Sequence, residues 1–210
     1  MILAPSILTV KEEERNSVLT ELSSLGIIYL HLDIMDGKFV KNKTMPFREM
    51  KHISDFTSKR LDVHLMVTNP SKYIPLYAEL NTEYIVFHVE VKEDILKNLQ
   101  MIKDYSIKCG LAISPNTKVS ELVPYLPYLD MILIMSVVPG EGGQSFIEES
   151  EDRINEVREL INSYNVNVVI NVDGGINNET VKKCKNADIV TAGSYIVKSE
   201  NFQEKISSLR

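Results

Sequence analysis

Two polar residues interrupt the stretch IIYLHLDIMDG (27–37), His31 and Asp33, and Gly37 ends it. The residues around them are largely apolar, the profile of a strand buried on both faces. Positions two apart on a strand point to the same side, so an imidazole and a carboxylate would stand together in the interior. Each is costly there unless something pairs with it. A divalent cation is one such partner, because both groups are first-row metal ligands. A plain His–Asp hydrogen bond in the core is the alternative.

Other reactive residue types sit in comparable places. Ser6 lies near the end of ILAPSIL, His64 within LDVHLM, and Asp173 directly before Gly174 and Gly175. Singly, each has a bland reading: a strand histidine is usually a hydrogen-bonded core group, and Asp before Gly-Gly is usually a turn residue. Glycines form a second series. PGEGGQS (139–145) is read as opening a helix, Gly174 and Gly175 follow one strand-like run, and Gly193 with Ser194 follows another. Backbone N–H groups in glycine turns at helix starts make anion sites, so three neighbouring turns point to a phosphate grip. No lysine or arginine lies within these turns, so that grip would rest on dipoles.

The elements that must position these residues alternate along the chain. Apolar runs predict strands over 2–8, 27–34, 61–66, 84–89, 107–113, 131–137, 166–172 and 189–192. Helical stretches are expected over 11–24, 46–56, 70–80, 93–105, 119–125, 146–164, 178–185 and 202–209. Thr9 is a candidate cap for the first, ahead of Glu12, Glu13 and Glu14, and Pro46 starts the second. Eight strand–helix units with short connections imply a parallel sheet covered by helices, and specifically one α/β domain over 1–210, a (β/α)8 TIM barrel. An open nucleotide-binding sheet is disfavoured because no strand is followed by G-x-G-x-x-G. In a barrel, chemistry collects at the C-terminal strand ends. His31, Asp33, His64 and Asp173 all fall there, and alternation turns them inward, along with Met66 and Asn171.

Composition narrows the classes. The 210 residues are 44% hydrophobic and 25% charged, as in ordinary globular proteins. A net charge of -6 argues against nucleic-acid partners, which want a basic face. No apolar run reaches the roughly 18 residues of a membrane span, and the N-terminus lacks the basic start of a signal peptide. Cys109 and Cys184 stand in no metal-type spacing and read as small buried hydrophobes, so a cytoplasmic location is expected.

With these stretches in view, the chain resembles the ribulose-phosphate 3-epimerase family along almost its whole length. The carrying residues are APSIL (4–8), HLDIMDG (31–37), DVHLMVTNP (62–70), PGEGGQSF (139–146), VDGGI (172–176) and AGS (192–194). The resemblance implies a (β/α)8 fold and one divalent ion per subunit (Zn, Fe(II), Mn or Co) on His31, Asp33, His64 and Asp173. It implies that Ser6 and His64 touch a phosphorylated ketose, with Met35, Met66 and Met135 lining the reacting carbons. The phosphate would lie against Gly142, Gly143, Gln144, Ser145, Gly174, Gly175, Gly193 and Ser194. It also implies a homo-oligomer. Asp33 and Asp173 would then act as the acid–base pair that inverts C3 of D-ribulose 5-phosphate to give D-xylulose 5-phosphate. A bound cation would stabilise the enediolate between the two proton transfers.

Val138, Glu141, Asn171 and Lys41 depart from the family's usual residues, which leaves open a related ketose such as allulose 6-phosphate. His88 and Glu90 read as structural, with a supporting place behind the ligands as the alternative. His52 reads as a surface helix residue. A decarboxylase or lyase of the orotidine-phosphate type would want D-x-K-x-x-D, but Met35 stands where the lysine belongs. A non-catalytic sugar-phosphate binder on the same scaffold is the remaining reading.

Overall fold

The computed structural model describes residues 1–210. Eight parallel strands form one sheet in the order β1-β8-β7-β6-β5-β4-β3-β2. They are β1 (Ile2–Pro5), β2 (Tyr29–Met35), β3 (Arg60–Met66), β4 (Thr82–His88), β5 (Lys108–Ile113), β6 (Met131–Met135), β7 (Val169–Asp173) and β8 (Ile189–Ala192). The helices between them are α1 (Arg15–Ser24), α2 (Phe47–Phe56), α3 (Ile74–Ala78), α4 (Ile95–Asp104), α5 (Ser150–Ser163), α6 (Ser194–Val197) and α7 (Phe202–Ser208). β1 and β2 meet through one isolated bridge, Ser6 to His31, so the sheet closes into a nearly complete barrel with its seam at that bridge.

The apolar runs become strands because both faces are covered. Every residue of β2 and of β6 (MILIM) is buried. Outward-facing side chains such as Leu32, Ile34, Leu65 and Ile132 join the helices in one large core. A smaller cluster fills the barrel interior, where Tyr29, Tyr84, Val86, Met131 and Leu133 meet. Register then decides the site: Asp33 pairs with His64, Met35 with Met66, and Met135 with Asp173.

Several boundaries differ from the sequence reading. β1 stops at Pro5, and Thr9 caps nothing: its buried hydroxyl is unpartnered, while a 3-10 turn (Glu12–Glu14) precedes α1. Asp173 is the last residue of β7 rather than the residue after it. The segments expected as helices after β5 and β7 are 3-10 helices, Val119–Tyr128 and Thr180–Lys183. Pro124 and Pro127 withhold N–H donors from the first. α5 begins only at Ser150, so PGEGGQS is a loop and does not open a helix. Gly174 and Gly175 likewise lead into an irregular turn, whereas Gly193 does directly precede the short α6. No helix is long and apolar enough to cross a membrane.

Candidate active site and metal centre

Four side chains converge at the C-terminal rim: His31 and Asp33 from β2, His64 from β3 and Asp173 from β7. One donor atom from each lies within 4.8 Å of every other. His31 Nε2 is 3.4 Å from Asp33 Oδ1 and 3.6 Å from Asp173 Oδ2. His64 Nδ1 is 3.2 Å from Asp33 Oδ1 and 3.7 Å from Asp173 Oδ2.

The two imidazoles face this cluster with opposite nitrogens. Behind His31, Asp62 Oδ2 lies 2.8 Å from Nδ1 and also accepts from Asn171 Nδ2 at 2.9 Å. Thr191 Oγ1 donates to Asn171 Oδ1 at 3.2 Å, which orients that amide. With its proton on Nδ1, His31 presents a lone pair at Nε2, a fully buried atom with no hydrogen-bond partner. Behind His64, Nε2 lies 2.9 Å from His88 Nε2, and His88 Nδ1 lies 2.9 Å from Glu90 Oε2.

The electrostatics mark an arrangement that wants positive charge. Burial opposes it, yet Asp33 and Asp62 push the His31 imidazole well above its ordinary value. Burial pulls His64 down to about 4, against the opposing pull of the Asp33 carboxylate beside it. Burial also disfavours ionised Asp33, but His31 and His64 outweigh it and hold that carboxyl far below the usual range. Asp173 moves the other way, raised by burial and then by the nearby Asp33 charge. An orphaned buried nitrogen facing two carboxylates and a second imidazole fits a divalent cation, with mixed N/O donors suited to Zn, Fe(II), Mn or Co.

Above the cluster opens a cleft of about 510 Å³. Asp33 and Asp173 reach its floor, whereas His31 and His64 lie fully buried beneath. Ser6, Met35, Met66 and Met135 line it near the floor. Gly142, Gly143, Gln144 and Ser145 line one side, with Gly174, Gly175, Gly193 and Ser194 nearby. The loops approach closely: a Cβ on Gly175, at φ +65°, would lie 2.4 Å from the Phe146 nitrogen. Loop residues from β2 and β6 also clasp each other, Asn42 Nδ2 donating to the Gly140 carbonyl at 2.8 Å. His52, as expected, sits exposed on α2, near Asn16.

Three participants escaped the sequence reading. Asp62 shares the inward parity of His64 on β3, a signal that was available. Thr191 and Lys198 carried none. Lys198 is the only lysine or arginine lining the cleft, and it stands just past the AGS turn.

The Ribulose-phosphate 3 epimerase family model matches residues 2–197 of the chain. A ribulose-phosphate 3-epimerase of Aquifex aeolicus is 36% identical over 88% of this chain and 84% of its own length. One of Helicobacter pylori is 34% identical over 100% of this chain and 97% of its own. Among solved structures, KGPDC from Streptococcus mutans superposes with a TM-score of 0.70 at 11% identity, covering 99% of this chain and 94% of that one. That likeness speaks to the barrel alone.

Proposed function

The chain belongs to the ribulose-phosphate 3-epimerase family, and from that premise we propose that it interconverts D-ribulose 5-phosphate and D-xylulose 5-phosphate. The observation that carries the reading is the pair Asp33 and Asp173, two carboxylates from different strands that together line the floor of one cleft.

Epimerisation at C3 removes a proton from one face and delivers another to the opposite face. One carboxylate takes the C3 proton, and the C–H electron pair becomes the C2–C3 double bond of an enediolate. The other carboxyl gives its proton to C3 from the far side, and the pair exchange roles in the reverse direction. Each acid has one oxygen in the donor cluster, Asp33 Oδ1 and Asp173 Oδ2, which leaves the second oxygen for the proton. His31, Asp33, His64 and Asp173 would hold one divalent ion per subunit, which supplies positive charge where the enediolate's negative charge collects. Met35, Met66 and Met135 form a polarisable wall that does not compete for protons. The glycine loops with Ser194 offer N–H and hydroxyl donors to the phosphate, and Ser6 reaches the cleft beside Asp33. A homo-oligomer and a cytoplasmic setting belong to the same reading, the first read directly by light scattering.

The test is a coupled assay on D-ribulose 5-phosphate and D-allulose 6-phosphate in deuterated water, with chelation and metal add-back. Deuterium at C3, lost on chelation and restored by a divalent ion, supports the proposal. Conversion of allulose 6-phosphate alone would move the substrate, and no exchange with either would remove the reaction.

A further inference from the structure

Behind His64 lies polar chemistry that the reaction itself does not use. A chain of hydrogen-bonded polar atoms runs from His64 Nε2 to His88 Nε2 (2.9 Å) and from His88 Nδ1 to the half-buried Glu90 Oε2 (2.9 Å). The far end is pinned. Glu90 Oε1 accepts from the Ser114 backbone N–H at 2.8 Å and from the Thr117 hydroxyl. Arg153 Nη2 in turn donates to the Ser114 carbonyl at 3.1 Å. His88 is fully buried, and the Phe39 ring packs on it at 4.8 Å between centroids.

Each imidazole–imidazole contact needs one donor and one acceptor, so the chain has a direction. A backbone N–H can only donate, which obliges Glu90 Oε1 to accept. Both oxygens of an ionised carboxylate accept, so His88 Nδ1 must carry a proton and its Nε2 must accept. His64 then donates from Nε2, and its Nδ1 turns a lone pair towards Asp33 and Asp173. The Ser114 hydroxyl, 3.4 Å from His88 Nδ1, can donate or accept and sets no direction.

We propose that Glu90, acting through His88, is a positioning residue that selects the His64 tautomer able to ligate a cation at Nδ1. The inference rests on the metal-dependent reading above and deepens it. The competing tautomer is close at hand: a proton on His64 Nδ1 has Asp33 Oδ1 at 3.2 Å as its acceptor. That form blocks the site. Glu90 therefore does for His64, at one remove, what Asp62 does for His31 directly.

Glu90→Gln is the discriminating variant because it keeps shape and reverses direction. The Ser114 N–H still requires an oxygen at its position, so the new amide NH₂ faces His88. His88 must then accept at Nδ1 and donate from Nε2, and His64 must move its proton to Nδ1. Two measurements read this out. In the metal-free protein, ¹⁵N–¹H correlation of the histidine rings should show His64 protonated at Nε2 in the wild type and at Nδ1 in Glu90→Gln. Competition with a chromophoric chelator should show Co(II) bound about 10- to 100-fold more weakly by the variant. His88→Phe, which removes the acceptor while keeping a ring beneath Phe39, should shift the His64 proton in the same sense. An unchanged His64 tautomer in either folded variant overturns the proposal, as does wild-type Co(II) affinity in both. Tautomer inversion without cation binding by the wild type would uphold the directed chain and remove the metal reading instead.

Discussion

Ser6 Oγ donates to Asp33 Oδ2 at 2.9 Å, across the seam where β1 and β2 are otherwise joined by a single bridge. The barrel's weakest junction and one of its two proposed acids are thus held by the same residue. This bond fixes the oxygen of Asp33 that lies outside the donor cluster. A hydrogen bond to a charged group contributes about 1.5–3 kcal/mol, so Ser6→Ala should lower kcat by roughly 10- to 100-fold. KM should move less, since the bond acts on the acid rather than on the phosphate. Steady-state kinetics decide, and an unaltered kcat would show that this oxygen needs no orientation.

Asp33→Asn and Asp173→Asn should each abolish most turnover, by about 10²- to 10⁴-fold, because neither amide can exchange the proton. Their stabilities should diverge from the wild type in an informative way. Asp173 is a carboxyl whose ionised form is disfavoured by burial and by the Asp33 charge. Neutralising it removes that repulsion, so metal-free Asp173→Asn should melt no lower than metal-free wild type at neutral pH. Asp33→Asn loses an ionised partner of both imidazoles and should melt lower. Calorimetry of the metal-free proteins tests both signs.

The glycine turns separate into two kinds. At Gly175, a Cβ would meet the Phe146 nitrogen at 2.4 Å with φ at +65°, so Gly175→Ala must displace backbone. Strain of this sort costs about 1–3 kcal/mol, visible as a lower melting temperature. At Gly193 the nearest heavy atom would be Ser6 Cβ at 3.5 Å, an ordinary contact. Gly193→Ala should therefore fold normally and raise KM by intruding on the cleft. Equal melting losses in the two variants would contradict this division.

Strand content and the inward set were legible because parallel strands buried on both faces leave polar residues conspicuous. His31, Asp33 and His64 stand out against the apolar runs YLHLDIM and LDVHLM, and strand parity turns them the same way. The supporting partners were not legible in the same manner. Asp62 and Asn171 are 109 residues apart and meet only across the barrel interior. Glu90 acquires its meaning from a backbone N–H on β5's exit, which no side-chain pattern reports. Helix ends depart from the sequence pattern where local chemistry prevails over the 3.6-residue period. Pro124 and Pro127 leave a 3-10 helix, and the loop ahead of α5 runs on to Ser150.

At the opposite rim, Glu83 at the start of β4 lies between Arg60 on β3 and Lys108 on β5, 2.8 Å from the latter's Nζ. Burial disfavours its charge, but Lys108 and Arg60 hold the carboxyl below its ordinary value of 4.5. A depressed acid stabilises the fold above its unfolded value and loses that contribution as pH falls through the folded one. Glu83→Gln should thus cost roughly 0.5–1 kcal/mol at pH 7. The gap to wild type should close progressively below pH 4.5. Denaturant titrations at pH 7, 5 and 3 read the difference, and a gap that widens in acid would reverse the assignment.

Lys198 bears on how a phosphate dianion enters a cleft that is lined by four carboxylates, Asp33, Glu141, Glu148 and Asp173. Glu148 is partly neutralised by its ion pair with Lys183, and Asp33 and Asp173 by the cation they would hold, but Glu141 faces an incoming anion unfavourably. Backbone dipoles at the glycine turns act only at contact, whereas an exposed ammonium acts over roughly 8 Å at physiological ionic strength. Lys198 is the one cationic side chain placed to do this, at the end of the short helix that begins at Ser194. Lys198→Ala should raise KM about 3- to 10-fold, the range expected of a single solvent-screened charge, and leave kcat nearly unchanged. Lys198→Glu should raise it further. Added salt should raise the wild-type KM towards that of Lys198→Ala, because screening removes from the wild type what the substitution removes outright. Kinetics at low and high ionic strength test this, and a KM ratio that stays constant with salt would mean that Lys198 acts by shape rather than by charge.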